Sequence, residues 1–213
     1  MSLEECSKTI TKSSNVVLKV YKGHFATSHS HNNYFIDVTP QKTKIDKAQA
    51  VADELKMYYK SNAIIDTVLC LDGTEIIGAF LAQGLAANDF SSLNAGKHIA
   101  VLTPEYSMGS QLFFRDNLVK YIEGRHVLIL AASVVTGYTA IRAAEAISYY
   151  GGTVSGIAAI FSTEKECMEI PVVSIFNPES LPDYASYTAY ECPMCKAGWK
   201  VEALVNSHGL SKL

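Results

Sequence analysis

Apolar positions along the chain fall into short runs, separated by stretches in which they recur every three or four residues. This alternation predicts β-α-β units. Ile64 to Leu71 is an aliphatic, β-branched run that stops at Asp72-Gly73-Thr74, and beyond it Ile76, Ile77, Phe80, Leu81 and Leu85 keep helical spacing. The pattern predicts strand, tight turn, helix. His98 to Leu102, closed by Thr103-Pro104, predicts a second strand, and His126 to Ala131 a third, followed by Thr136-Gly137 and a helix through Ala140, Ile141, Ala144 and Ile147 that ends at Gly151-Gly152. Val154 to Phe161 and Val172 to Phe176 predict a fourth and a fifth strand. Ahead of them Ile45, Ala48, Val51, Ala52, Leu55, Tyr58 and Tyr59 form a helical stripe with Thr43 placed as its N-cap. The first forty residues show no clear period, and Thr27 to Asn33 reads as a loop. Glu105 to Asn117, with Gly109 and the cluster Leu112-Phe113-Phe114, predicts a flexible loop that returns as a short extra strand.

The length, 213 residues, suits a single domain spanning 1–213, in which 1–40 is an N-terminal segment and 178–213 a C-terminal extension. Apolar residues make up 48% and the net charge is −3, which excludes a disordered chain and argues against nucleic acid as a partner, since no Lys/Arg run supplies a basic surface. The longest apolar stretches fall short of the roughly 20 residues of a membrane span. Met1 to Cys6 is acidic where a secretory signal is basic, so the expected setting is the cytoplasm, with five cysteines kept reduced. The final Ser211-Lys212-Leu213 matches a peroxisomal address, and a chance ending is the plainer reading.

The strongest chemical signal is the run from Val127 into Ser133-Val134-Val135-Thr136-Gly137-Tyr138-Thr139. A buried strand passes through a small-residue turn into a helix, so backbone N–H groups and the helix N-terminus converge where an anion can sit, with Thr136 and Thr139 adding hydroxyls. An ordinary strand-to-helix connection is the alternative.

This strand-turn-helix resembles the ribose-phosphate signature of the type I phosphoribosyltransferases, and three further stretches follow in the order of the orotate phosphoribosyltransferase branch. Phe25 to Asp37, containing Ser28, His29, His31 and Tyr34, is similar to that branch's substrate loop. Asp72-Gly73-Thr74-Glu75 falls where its pyrophosphate loop does, and the turn from Lys120 into the signature strand also matches. The resemblance runs from about residue 20 to 177. It implies an α/β fold with a mostly parallel central sheet flanked by helices and an N-terminal hood. It further implies a glycosyltransferase of nucleotide metabolism that uses phosphoribosyl pyrophosphate with Mg²⁺, and a homodimer.

Several residues depart from that pattern. Ala131 and Ala132 stand where the family's acidic pair binds the ribose hydroxyls, and a methyl group neither accepts those bonds nor stabilises charge at the anomeric carbon. Thr103 to Gln111, in place of the cation-rich mobile loop, holds no Lys or Arg, and the first basic residue beyond is Arg115. The family's Gly-Lys is replaced by His29-Ser30, the Arg after the fourth strand by Ser162-Thr163, and the glycine pair of the pyrophosphate loop survives as Ile77-Gly78. Asp72 and Glu75 are the acidic substitutes within reach of a neighbouring strand end, unless they merely shape the turn and favour the helix start.

Cys192-x-x-Cys195 offers two corners of a zinc tetrahedron and needs two more ligands; Cys70, Cys167 and His208 stand at no motif spacing, and the alternative is a pair of packed, reduced thiols. His24, His29 and His31 crowd one loop and are read as ligand contacts rather than as a metal site. Two functions remain open at this point: a phosphoribosyltransferase-like protein that binds a 5-phosphoribosyl ligand through Ser133–Thr139 with impaired or non-standard transfer, or a non-catalytic binding or regulatory protein on the same fold.

Overall fold

A computed structural model describes residues 7–11, 16–107, 111–206 and 209–213. In chain order its elements are β1 (Ser7–Thr11), β2 (Val17–Ala26), β3 (His31–Asp37), α1 (Thr39–Thr43), α2 (Ile45–Tyr59), β4 (Thr67–Cys70), α3 (Glu75–Ala86), β5 (Ala100–Leu102), β6 (Glu105–Tyr106), β7 (Leu112–Phe113) and α4 (Asp116–Val119). There follow β8 (His126–Val134), α5 (Tyr138–Tyr149), β9 (Thr153–Ser162), β10 (Glu166–Cys167), β11 (Ile170–Phe176), β12 (Ser186–Tyr187), α6 (Pro193–Lys196), β13 (Ala203–Asn206) and β14 (Gly209–Lys212). They gather into two compact units, Gln41–Ile175 and the residues up to Pro40 together with Phe176–Leu213.

The larger unit is built on a six-stranded sheet in the order β10-β11-β9-β8-β4-β5. β4 pairs parallel with both β5 and β8, and β8 pairs parallel with β9, so the sheet is mostly parallel as expected. Its central strands are covered on both faces, which is why they read as unbroken apolar runs. Val127, Ile129 and Ala131 share one buried cluster with Ala140, Ala143, Ala144 and Ile147 of α5. On the opposite face Tyr59, at the end of α2, lies over Gly156 and donates from its hydroxyl to the Ile157 carbonyl at 2.9 Å. Gly78 has a packing reason of its own: a Cβ there would collide with the Cys70 sulfur, so only glycine lets α3 seat this close to β4.

Some boundaries differ from the sequence pattern. β4 starts at Thr67 rather than Ile64, because the buried Asn94 side chain accepts from Ile65 N at 2.8 Å and donates to the Ala63 carbonyl at 2.9 Å, meeting the needs of backbone that would otherwise pair. Thr43 does not cap α2; it ends α1, and Lys44 occupies the cap position without a side-chain bond. β8 runs on to Val134, since Ser133 and Val134 pair with Phe161 and Ser162. Gly109 and His208 lie outside the described residues.

The smaller unit departs most from expectation, because the described residues among the aperiodic first forty are largely strand. β2 pairs antiparallel with β3, and β13 pairs parallel with β2 at Ala203↔Phe25 and Leu204↔Ala26. The predicted loop shrinks to a tight turn: Thr27 N donates to the Ser30 carbonyl at 2.7 Å, and the Thr27 hydroxyl oxygen accepts from His29 N and Ser30 N. The β2–β3 register shifts between Lys22 and Phe25, which sets Gly23 and His24 in a bulge. A Cβ at Gly23 would come within 2.8 Å of the Glu202 carboxylate and 2.9 Å of the Phe25 ring, so a larger residue there would have to displace one of them.

Candidate functional site

In a parallel sheet with helices on both faces, ligands bind beyond the carboxyl ends of the strands. In the larger unit that edge is formed by the turns after β4 and β8. Leu71 N donates to the Leu130 carbonyl at 2.8 Å, and the buried Thr74 hydroxyl lies 2.8 Å from the Leu71 carbonyl and 3.0 Å from that of Leu130, so the two turns are stitched side by side. Asp72 and Gly73 both adopt positive φ, 59° and 79°. A non-glycine residue in that region is unusual and marks a turn whose shape is imposed by its surroundings.

The turn after β8 spans residues 135–137. Gly137, at φ 70°, caps α5 and brings no side chain to bond the first N–H groups of that helix. A Cβ at Gly137 would come within 2.8 Å of the Cys167 sulfur, a second reason for glycine. Ser162 and Thr163, at the end of β9, hold the turn from behind: Thr163 N donates to the Val134 carbonyl at 2.9 Å and the Thr163 hydroxyl to the Val135 carbonyl at 2.7 Å. Thr136, Tyr138 and Thr139 are exposed, whereas Ser133 and Val134, expected in the same cradle, belong to the strand. Ala131 and Ala132 are buried on opposite faces of β8 with 2% and 1% exposure. The end of that strand therefore offers an anion N–H groups and hydroxyls, and offers a sugar no carboxylate.

Two cations at this edge escaped the sequence reading. Lys42, from α1, donates from Nζ to the Asp72 carbonyl at 2.8 Å. Arg142 stacks its guanidinium 4.5 Å from the centre of the Tyr138 ring. Nothing in the sequence marks Lys42, thirty positions from its partner, but Arg142 stands four residues after Tyr138, and helical spacing alone could have drawn attention to it. Beyond β5, β6 and β7 pair antiparallel, and Arg115 forks onto Glu105 with two bonds of 2.7 Å, so the first basic residue after the expected mobile loop clamps this hairpin. Burial raises the Tyr106 hydroxyl pKa, and the nearby Asp72 charge adds to the rise.

At the opposite, amino ends of β4 and β5 lies a hollow of about 360 Å³ lined by Asp66, Lys97, His98 and Arg125 among others. Burial there would raise the Asp66 pKa. Bonds from His126 N, the Lys97 ammonium and the His126 ring outweigh burial and hold the carboxyl down to about 2.

The smaller unit holds a different constellation. Ser28 and His29 are exposed at the hairpin turn and Tyr34 is buried. His31 meets His24, with His24 Nε2 3.0 Å from His31 Nδ1. Cys192 and Cys195 join them: both sulfurs lie near His24 Nε2, at 3.6 and 3.7 Å, and Cys195 Sγ is 3.3 Å from His31 Nδ1. The sequence offered Cys192 and Cys195 as a metal half-site and His24 and His31 as ligand contacts instead; the two pairs were not joined, because 161 positions separate His31 from Cys192. Cys70 and Cys167, the other thiols considered, belong to the larger unit and are buried, and burial pushes the Cys70 thiol up to about 12.

No family model matches the chain. Among curated proteins it is similar to the orotate phosphoribosyltransferase of Sulfurimonas denitrificans, 28% identical over 194 residues that cover 83% of this chain and 88% of that one. The orotate phosphoribosyltransferase of a Sulfurovum species is 27% identical over 204 residues, 89% and 92% of the two chains. Among solved structures, the Mycobacterium tuberculosis orotate phosphoribosyltransferase in complex with Fe(III) dicitrate superposes with a TM-score of 0.54 at 16% identity, over 77% of this chain and 92% of that one. A phosphoribosyltransferase from Corynebacterium diphtheriae gives 0.52 at 16% identity, over 84% and 94%. The structural likenesses show a phosphoribosyltransferase fold, and the curated relatives to which the chain is similar are orotate phosphoribosyltransferases.

Proposed function

We propose that this chain is a type I phosphoribosyltransferase close to the orotate branch, in which the turn after β8 binds a 5-phosphorylated ribose while standard phosphoribosyl transfer is impaired or runs on other residues. The observation that carries this reading is one strand end with two characters. Gly137 and the exposed Thr136 and Thr139 offer N–H groups and hydroxyls to an anion, and four to five residues before Thr136 the buried Ala132 and Ala131 put methyl groups where the resemblance calls for carboxylates.

Phosphoribosyl pyrophosphate with Mg²⁺ is the donor that the resemblance implies. The residues at 131 and 132 do not fit an ion-bound donor, since they supply no oxygen, and no step is derived through the ion. Asp72, in the adjoining turn, and Glu75, at the start of α3, are the carboxylates closest along the chain to that edge, and they are our candidates for a substitute role. Lys42 and Arg142 are the candidate phosphate cations, in place of those missing between Thr103 and Gln111. A homodimer acting in the cytoplasm is part of the same reading, supported by the family resemblance.

A second reading, a non-catalytic binding or regulatory protein, is favoured by the same two alanines. Calorimetry with phosphoribosyl pyrophosphate, ribose 5-phosphate and nucleoside monophosphates tests the shared premise, and lack of binding by all three at millimolar concentration removes it. Incubation with the donor, Mg²⁺ and a panel of bases then separates the two readings. Pyrophosphate release with any base defeats the non-catalytic one.

A further inference from the structure

We propose that His24, His31, Cys192 and Cys195 form a zinc site that fastens the C-terminal extension to the N-terminal hairpin. Four potential ligand atoms, one from each residue, lie within 4.8 Å of one another. A zinc ion held at about 2.05 Å from nitrogen and about 2.3 Å from sulfur places tetrahedral ligands roughly 3.3 Å apart for two nitrogens, 3.6 Å for nitrogen and sulfur, and 3.8 Å for two sulfurs. The separations in the structure are 3.0 Å between the nitrogens and 3.3, 3.6 and 3.7 Å between nitrogen and sulfur. These are four of the six edges of one coordination tetrahedron, each within about 0.3 Å of its ideal length, and the remaining two pairs lie within 4.8 Å.

The chemistry around the four atoms fits the same assignment. His24 Nδ1 lies 3.1 Å from the Trp199 carbonyl, which can only accept, so the ring proton sits on Nδ1 and Nε2 turns its lone pair toward the other three residues. An outer carbonyl that fixes the tautomer and orientation of a ligating imidazole is a recurrent feature of metal sites. Two neutral imidazoles and two thiolates carry a combined charge of −2, which cancels the ion's +2; binding releases the two thiol protons to solvent. Two sulfur and two nitrogen donors in a tetrahedron select zinc over magnesium or calcium, which take oxygen ligands. All four positions are filled by protein, which marks a structural rather than a catalytic site.

Local structure explains how the four are delivered. The bulge at Gly23 and His24, together with the register Ala26↔His31, puts the two histidines on one face of the hairpin as diagonal neighbours. Pro193 opens the short turn of α6 between the cysteines, and Gly198, at φ 76°, bends the chain so that Trp199 N returns to the Met194 carbonyl at 2.9 Å. His24 N donates to the Glu202 carboxylate at 3.1 Å and Glu202 N to the His24 carbonyl at 2.8 Å, which fixes the backbone of the central ligand from both sides. His24 and Cys192 are fully buried, while His31 is partly exposed and Cys195 exposed, so the ion has a path of entry.

The test is elemental analysis of full-length protein expressed in zinc-supplemented medium and purified reduced, without chelators. The expected result is about one zinc per chain. Cys195→Ser and His31→Ala change the two more exposed ligands, which a folded protein tolerates. Each should lower zinc affinity, read by competition with a chelating dye, by about 100-fold or more, beyond what loss of an outer hydrogen-bond partner costs. His29→Ala, in the same hairpin but outside the cluster, should retain the ion. Cobalt(II) in place of zinc should give the intense visible bands of a tetrahedral site and a thiolate charge-transfer band that weakens in Cys195→Ser. The assignment is overturned by reduced protein that carries no metal and takes up no cobalt, by undiminished zinc affinity in both variants, or by a Cys192–Cys195 disulfide in protein alkylated at lysis.

Discussion

Gly137 is the residue on which the shape of the proposed phosphate turn depends. Its φ of 70° lies in the left-handed region, and the Cys167 sulfur leaves no room for a side chain. Gly137→Ala should cost about 1–3 kcal/mol of stability from backbone strain and contact together. It should also weaken binding of a phosphorylated ribose more than Thr136→Ala does, as read by denaturant melts and calorimetry. Equal effects of the two variants would place the anion elsewhere. Asp66 gives a test by pH. Its folded pKa, about 2, lies below the value of 3.8 for a free aspartate, so the stabilisation it brings is present above about pH 4 and is lost as the pH falls toward 2. Asp66→Asn should lower stability at neutral pH by on the order of 1 kcal/mol, after discounting for solvent screening of a partly exposed group. It should also flatten the fall in melting temperature between pH 4 and pH 2, and an unchanged slope would remove Asp66 as the cause.

At the scale of elements, the paired ends of β4 and β8 define the candidate site, and the β6–β7 hairpin borders it. That hairpin has two residues in each strand and is joined across its mouth by the Arg115–Glu105 fork. Strands so short hold little pairing energy of their own, and an exposed ion pair matters here for geometry more than for global stability. Arg115→Ala should therefore speed proteolytic cleavage between Thr103 and Gln111 with little change in melting temperature. Unaltered cleavage would show that the fork does not hold the hairpin closed. The helices flanking the sheet follow a simpler logic: α5 meets β8 through alanines, and α3 meets β4 through Gly78, so both ride close to the strands whose ends carry the turns.

At the scale of the molecule, the two compact units have different sources of order. The larger is a covered parallel sheet with a continuous apolar core. Its smaller companion buries Leu18, Val20, Phe176 and Leu181 besides a cluster around Phe25, Ala203 and Val205, and pairs strands from segments distant in sequence. A unit whose C-terminal segment meets the N-terminal hairpin in the parallel register Ala203↔Phe25 and Leu204↔Ala26 gains from a clip that joins the same two segments. Among the described residues no helix is long and apolar enough to cross a membrane. The dimer that the family resemblance implies is expected in sedimentation velocity at micromolar concentration, and a monomer at the highest soluble concentration would contradict it.

How much was legible in the sequence follows from which interactions are local. Alternation of apolar runs with helical spacing located β4, β8, β9, β11, α2, α3 and α5, because covered parallel strands must be apolar throughout and their helices must keep one apolar stripe. Ala131, Ala132 and the cation-free stretch before Arg115 were readable in the same way, since a missing functional group needs no coordinates to be noticed. The β2–β3 hairpin was missed because its strands alternate weakly and its turn is closed by a threonine rather than by Asn-Gly. Lys42 beside Asp72, and the meeting of His24 and His31 with Cys192 and Cys195, could not be read at all: these contacts join positions 30 and more than 160 residues apart, and only the folded backbone sets such distances. The sequence by itself determined the larger unit's strand-helix alternation and placed Ala131 and Ala132 where the resemblance implies carboxylates. Tertiary structure alone decided which cations face the strand ends and which four side chains come within reach of one metal ion.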